Sequence, residues 1–264
     1  MRKFLNAFAA AALVLGGFAP LAASAATILP LSSINDGDLI RGQAFNAVYY
    51  YGKDGFRYVF PNDKTSFTWY ANFNTVKWIS DADLAKVQIG GNVTYKPGVK
   101  MLKINSDPKT YAVDAGGTLR WVTNEAVAIA LYGSDWNKKI DDVADAFFSN
   151  YKKGADITVA ADFNVAAAQT NATSINKDKN LKVATGVTIQ DFQFAPAAIT
   201  IQAGTAVRFT NGGATKHTAT ADDDSWGTGT LNAGENFSRY FKQAGTYTYH
   251  CSYHPTMTGT IIVQ

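Results

Sequence analysis

Along the last third of the chain, apolar and polar residues alternate at a period of two, interrupted at short intervals by turn residues. Alternation of this kind suits a half-buried β-strand, whose successive side chains point to opposite faces. It predicts strands over 187–192, around Ile199 and Ile201, and over 206–210, 237–241, 246–251 and 259–263. Phe194-Ala195-Pro196, Ala203-Gly204, Asn211-Gly212-Gly213 and Ala244-Gly245 separate them. Many short strands so spaced predict an all-β antiparallel Greek-key sandwich over 183–264. In the strand over 246–251, Tyr247, Tyr249 and Cys251 share one face, and Thr246, Thr248 and His250 share the other.

The pattern is different upstream. Residues 36–154 hold Trp69, Trp78, Trp121 and Trp136, four of the five tryptophans. Val48-Tyr49-Tyr50-Tyr51-Gly52-Lys53-Asp54-Gly55-Phe56-Arg57-Tyr58-Val59 is echoed by the stretch from Thr110 to Val122, about 63 residues later. Each copy reads as strand, Gly-containing turn, strand, and so predicts a β-hairpin. A capped helix is predicted after each hairpin, with Asn62 leading one and Thr123 leading the other, which Gly133 closes. Ile140, Val143, Phe147 and Tyr151 fall on one helical face and predict a further helix over 140–151. The expected module is α+β, built from duplicated hairpin-plus-helix units. Residues 155–182 are rich in Ala, Thr, Asn and Lys, without a clear period, and read as a linker. The pieces Arg57-Tyr58-Val59-Phe60-Pro61-Asn62 and Leu119-Arg120-Trp121-Val122-Thr123-Asn124-Glu125 resemble a repeat of exported and cell-surface proteins of uncultured bacteria. That resemblance brings no activity with it. The aromatics of the module are expected mainly as its core.

The first 25 residues stand apart. Arg2 and Lys3 precede an Ala-rich apolar run, and Ala23-Ser24-Ala25 has the small-x-small form of a cleavage site. This is the pattern of a secretory signal peptide, so the mature protein is expected to be periplasmic, cell-surface or extracellular, with no integral membrane span. Without Arg2 and Lys3 the formal charge falls from +3 to +1. No Lys/Arg cluster points to nucleic acid or anionic lipid.

The single cysteine carries the chemistry. Cys251 is followed at three-residue steps by His254 and Met257, and His217 lies upstream on a separate strand. One cysteine in an exported protein cannot close an intramolecular disulfide. Cys, two His and Met together form the donor set of a mononuclear blue-copper site. His250 is set aside because its side chain belongs to the face opposite Cys251. His254 follows the strand end, where a turn can return its ring to the sulfur.

These residues resemble the cupredoxins, and most closely the plastocyanin and amicyanin group. The Cys251-x-x-His254-Pro255-x-Met257 loop is similar to the short amicyanin form. Asn211 stands six residues before His217, as an asparagine does in that group. Tyr249-His250 and Gly259 also match. The resemblance implies one type 1 copper held by His217, Cys251, His254 and Met257. It further implies that Asn211 ties the ligand loops together, and that electrons leave through His254, with Pro255 and Tyr253 beside it. Lys216 departs from the proline common in relatives, a difference expected to bear on partner binding.

Zinc is disfavoured because a thioether is a poor zinc ligand. Three histidines cannot furnish a multicopper oxidase, and a single cysteine cannot build a binuclear site. The expected function is one-electron transfer between redox partner proteins by Cu(I)/Cu(II) cycling, and the protein is not expected to be an enzyme. A cell-envelope ligand is the expected partner of the N-terminal module. The competing reading is a cell-surface binding or structural protein whose cupredoxin domain stores or delivers copper.

Overall fold

The computed structural model describes residues 26–264, so the expected signal segment lies outside the described residues. Two four-stranded sheets form the C-terminal sandwich. Its strands are β1 (Thr185–Gln190), β2 (Gln193–Ala195), β3 (Ala198–Ile201), β4 (Thr205–Asn211), β5 (Thr220–Ala221), β6 (Asn236–Phe241), β7 (Gly245–Cys251) and β8 (His254–Val263). One sheet runs β2-β1-β4-β6 and the other β3-β8-β7-β5. Pairing is antiparallel except where β1 lies parallel to β4 and β3 parallel to β8.

The inward positions of both sheets make one core. Phe209 of β4 and Tyr249 of β7 meet edge to face at 5.5 Å, and Trp226 stacks on Phe209 at 5.8 Å. Gly259 lies opposite Tyr249 in the β7–β8 ladder. A Cβ at Gly259 would lie 2.2 Å from the Tyr249 ring, so only glycine lets the two strands pair around that side chain.

The N-terminal half holds a six-stranded and a five-stranded sheet with short helices. Its duplication is visible in the hydrogen bonds. The Phe60 N–H donates to the Val48 carbonyl, and the Val122 N–H donates to the Thr110 carbonyl. Asn62 caps the helix Asp63–Trp69, and Asn124 caps the helix Glu125–Tyr132. All these pairs lie 62 residues apart, one fewer than the sequence echo indicates. Equivalent clefts of about 260 and 330 Å³ open beside the two capped helices, walled by Phe73 in one copy and Trp136 in the other.

Four expectations need correction. The cap of the second helix is Asn124, whose Oδ1 accepts from the Val127 N–H at 3.0 Å; the Thr123 hydroxyl instead donates to the Ile157 carbonyl at 3.1 Å. The helix over 140–151 is broken. Ile140–Asp142 pairs as a parallel strand with Met101–Ile104, and only Asp145–Phe148 is helical. Sheet pairing there overrides a helical spacing of apolar residues. The segment 155–182 is not a free linker. It contains the helices Val165–Asn171 and Ile175–Asp178, and Ile157, Phe163, Ile175 and Leu181 are buried in the cores of the N-terminal half. Isolated apolar anchors in an Ala-rich tract do this without producing a readable period. At the other end, Ile28–Leu29 pairs with Lys77–Ile79, so ordered pairing begins before residue 36.

The halves meet on the outer face of the β2-β1-β4-β6 sheet. Ala206 belongs to the same apolar cluster as Phe56 and Tyr58, and Tyr240 stacks on Phe56 at 4.8 Å. The Arg208 guanidinium donates to the Tyr51 hydroxyl at 2.5 Å. β4 is thus covered on both faces, which accounts for its nearly unbroken burial. Among the described residues no helix is long and apolar enough to cross a membrane.

Candidate metal centre

Four stretches of chain converge at one end of the sandwich: the end of β4, the loop carrying His217, the β7–β8 hairpin and the β1–β2 turn. His217 is fully buried and is held by backbone pairing with Leu231, N–H to carbonyl in both directions at 3.1 and 2.8 Å. Asn211, also fully buried, sits beneath it. Its amide donates to the carbonyls of Thr215 and Leu231, both at 2.8 Å, and its side-chain oxygen accepts from the Gly213 N–H at 2.9 Å. Every polar atom of that amide except one hydrogen-bonding lone pair is therefore engaged in fixing the His217 loop.

Cys251 ends β7, and its partner across the hairpin is His254, with Ser252 and Tyr253 as the turn. The ladder register then shifts, because His250 pairs with Thr258 while Cys251 pairs with His254. Pro255, Thr256 and Met257 therefore bulge out of the pairing. Such a bulge re-aims side chains next to a site. Pro255 and Thr256 face outward, whereas Met257 is buried in the same core cluster as Cys251.

The Cys251 Sγ lies 3.6 Å from His217 Nδ1 and 3.7 Å from His254 Nδ1. The donor atoms of these three residues all lie within 4.8 Å of one another, a group that could hold a metal ion. The Thr218 N–H points at the sulfur from 3.4 Å. The Thr218 hydroxyl accepts from the Ser252 N–H at 2.8 Å, tying the His217 loop to the hairpin turn. His250 is not part of this group. Its Nδ1 meets the Asp222 carboxylate at 2.7 Å, on the other face of β7. Hydrogen bonds from Thr248 and His250 hold the Asp222 carboxyl below its ordinary range.

Sequence reasoning did not find four contributors: Asp191, Phe192, Thr215 and Thr218. The Asp191 carboxylate accepts from the N–H groups of Ala214 and Thr215 and from the Thr215 hydroxyl, and it lies 3.2 Å from His217 Nε2. Those bonds, that from Ala214 foremost, hold its pKa far below the usual carboxylate range. The Phe192 and His254 rings meet nearly at right angles, with centroids 5.0 Å apart. An Asp in a hairpin turn is ordinary turn chemistry, and nothing in the local sequence marks it as a neighbour of His217.

The donors match a type 1 copper ion in chemistry as well as in position. Two imidazoles and a buried cysteine sulfur converge, a nitrogen and soft-sulfur donor set of the kind this ion accepts, and Met257 is buried in the same core cluster as Cys251. Comparison with known proteins agrees. Residues 158–263 match the model of the cupredoxin-like domain. The chain is 38% identical over 84 residues to a plastocyanin of Scenedesmus fuscus, a match covering 27% of this chain and 86% of the relative. Among solved structures, it is similar to a purple cupredoxin from Nitrosopumilus maritimus (26% identity, TM-score 0.30, 30% of this chain and 99% of the other). It is also similar to an amicyanin from Paracoccus versutus (29% identity, TM-score 0.29, 31% of this chain and 81% of the other).

A β-sandwich with a buried Cys and two His at one end, and with this plastocyanin relative, defines a copper-protein domain of the electron-transfer type. Through that domain the chain belongs to the cupredoxin family.

Proposed function

We propose that this protein is an exported carrier of single electrons, with His217, Cys251, His254 and Met257 holding one type 1 copper. The observation that carries the reading is the convergence of His217 Nδ1, Cys251 Sγ and His254 Nδ1 from separate elements in a buried, preorganised frame. Bound copper would supply the capacity to take up and give up one electron between Cu(II) and Cu(I).

The protein's own residues supply the rest. Burial of Cys251 and His217 excludes water from the thiolate and the first imidazole. The Thr218 N–H offsets negative charge on the sulfur, and Asn211 keeps the His217 loop from moving. A frame that the fold fixes need not rearrange between oxidation states. His254 is the one imidazole of the pair that is only partly buried. Its ring, with exposed Pro255, Tyr253 and Phe192 around it, is the proposed exit toward redox partner proteins. Ala23-Ser24-Ala25 supports export to the periplasm, cell surface or medium. The N-terminal half is proposed to dock the carrier to a cell-envelope ligand through its paired clefts.

Loading the purified chain with Cu(II) tests the reading. The expected result is the intense visible thiolate-to-copper band of a blue site, lost in Cys251→Ser and kept in His250→Ala. A colourless protein with ordinary tetragonal copper would sink the proposal. Reversible voltammetry separates a carrier from a protein that only stores or delivers copper. The N-terminal mass of the secreted protein tests cleavage after Ala25.

A further inference from the structure

Adjacent residues of a single turn touch both imidazoles from outside. Asp191 and Phe192 form the two-residue connection between β1 and β2, where Gln190 pairs with Gln193. Asp191 reaches His217 Nε2, and Phe192 reaches the ring of His254. We propose that this turn positions both histidines, Asp191 by dictating which nitrogen His217 turns to the metal and Phe192 by covering His254. The inference rests on the copper reading above.

The hydrogen bonds decide where His217 carries a proton. An ionised carboxylate only accepts, and the Thr215 hydroxyl donates its proton to Asp191 at 2.9 Å. The Thr215 oxygen, 2.9 Å from Nε2, and Asp191 are then both acceptors facing that nitrogen. Nε2 must carry the proton. In the neutral ring that metal binding requires, Nδ1 is then the nitrogen with the lone pair, 3.6 Å from the Cys251 sulfur. The partner of one ring nitrogen thus sets the metal-binding role of the other.

The turn is held hard against the His217 loop. The N–H groups of Gly212 and Gly213 donate to the Ile189 carbonyl at 2.9 and 3.1 Å. A Cβ on Gly213 would lie 2.4 Å from the Asp191 carboxylate, so the close approach requires glycine there. Phe192 adopts φ +68°, a left-handed conformation that a bulky residue seldom takes, although 66% of its surface is exposed. Burial of its own ring does not account for that strain. In this conformation the ring lies against His254, the two rings at 85°. Strain kept at an exposed position beside a site points to a role there.

Imidazole NMR of the isotope-labelled, metal-free full chain tests the first half. The expected wild-type spectrum has His217 protonated at Nε2 alone. Asp191→Ala should mix the two tautomers and weaken Cu(I) binding, measured by chelator competition, by about 10–100-fold. Asp191→Glu should restore part of both. Unchanged tautomer and affinity in Asp191→Ala, with circular dichroism showing a folded protein, would overturn the role of Asp191. For Phe192, acylation of His254 by diethyl pyrocarbonate in the metal-free protein is the readout. The rate should rise severalfold in Phe192→Ala and stay low in Phe192→Leu. Equal rates in wild type and Phe192→Ala would refute the covering role. If either substitution unfolds the chain, Asp191→Gly and Phe192→Gly, which remove the same group and relieve the turn backbone, take its place under the same criteria. A missing blue band in the wild type sinks the copper reading, whereas these metal-free measurements still report on the turn.

Discussion

Tyr240, on the outer face of the sandwich, donates a hydrogen bond to the carboxylate of Asp54 in the N-terminal half. Tyr58 donates to the same oxygen at 2.5 Å, and Asp54 has no exposed surface. A buried carboxylate is tolerated when its lone pairs are satisfied, and here the satisfying groups come from both halves. The contact fastens the N-terminal module to the middle of the sheet and not to the metal end. The described part of the N-terminal module is therefore attached away from His254.

Asp54→Ala tests this fastening. The substitution removes the acceptor shared by the buried Tyr58 hydroxyl and the partly buried Tyr240 hydroxyl, which retain only each other at 3.0 Å. An unsatisfied buried polar group costs about 1–3 kcal/mol. A loss of about 3 kcal/mol is expected, or about 6–12 °C in Tm for a chain of this size. Calorimetry measures it. The visible band of the copper-loaded protein should not change, since no ligand is touched.

High pH should loosen the same region. Burial raises the phenol of Tyr50 to about 12 from its ordinary 10.0. Burial, with the Asp54 carboxylate next, also raises Tyr58 and Tyr240. A phenol with a raised folded-state pKa favours the folded state fully below the unfolded pKa. That contribution is lost as pH rises from about 10 to the folded value. For Tyr50 alone the loss is at most about 2.7 kcal/mol between those limits. A cooperative alkaline transition is expected, in which buried tyrosines ionise together with loss of tertiary structure. Phenolate absorbance and circular dichroism followed on one sample check it; gradual ionisation with the fold intact would contradict it.

Much of the sandwich was legible in the chain, for a physical reason. Strands with one face buried impose a period of two, and Gly, Asn and Pro mark where they stop. The same alternation separates His250 from Cys251. Other features leave no local trace. Asp54 lies in Gly52-Lys53-Asp54-Gly55, which reads as a solvated turn, and only tertiary packing reveals that it is buried. Asp191 likewise looks like turn chemistry. Residues 155–182 pack through a few isolated side chains, Ile157, Phe163, Ile175 and Leu181, and four anchors in an Ala-rich tract make no pattern. The shift at His250/Cys251 that buries Met257 is a matter of register, and register belongs to two strands together.

Asn211→Ala should damage the metal site without contacting it. The amide is the common anchor of the Thr215, Gly213 and Leu231 backbones, and alanine leaves that anchor empty. A stability loss of about 2 kcal/mol is expected for the metal-free protein. Copper affinity should fall too, because the His217 loop would have to be ordered on binding. Asn211→Asp, which keeps the acceptor and loses both donors, should resemble alanine. Denaturation of the metal-free forms and chelator competition measure the two effects separately.

Copper itself should report on how the halves are joined. A ligand that binds only the folded state stabilises it by about 4.1 kcal/mol at a thousandfold excess over Kd. If the sandwich unfolded alone, copper would raise the midpoint of one transition and leave an earlier or later one unmoved. The shared cluster of Phe56, Tyr58, Ala206 and Tyr240, with Asp54 at its centre, argues for joint unfolding. Copper should then raise a single midpoint for the whole chain, by about 8–16 °C. In Asp54→Ala, whose metal-free form should still melt once at its lowered Tm, the weakened joint should let copper divide the transition, with only the part from the sandwich moving up. Two transitions in the wild type, one of them indifferent to copper, would show that the halves fold independently despite the contact between Tyr240 and Asp54.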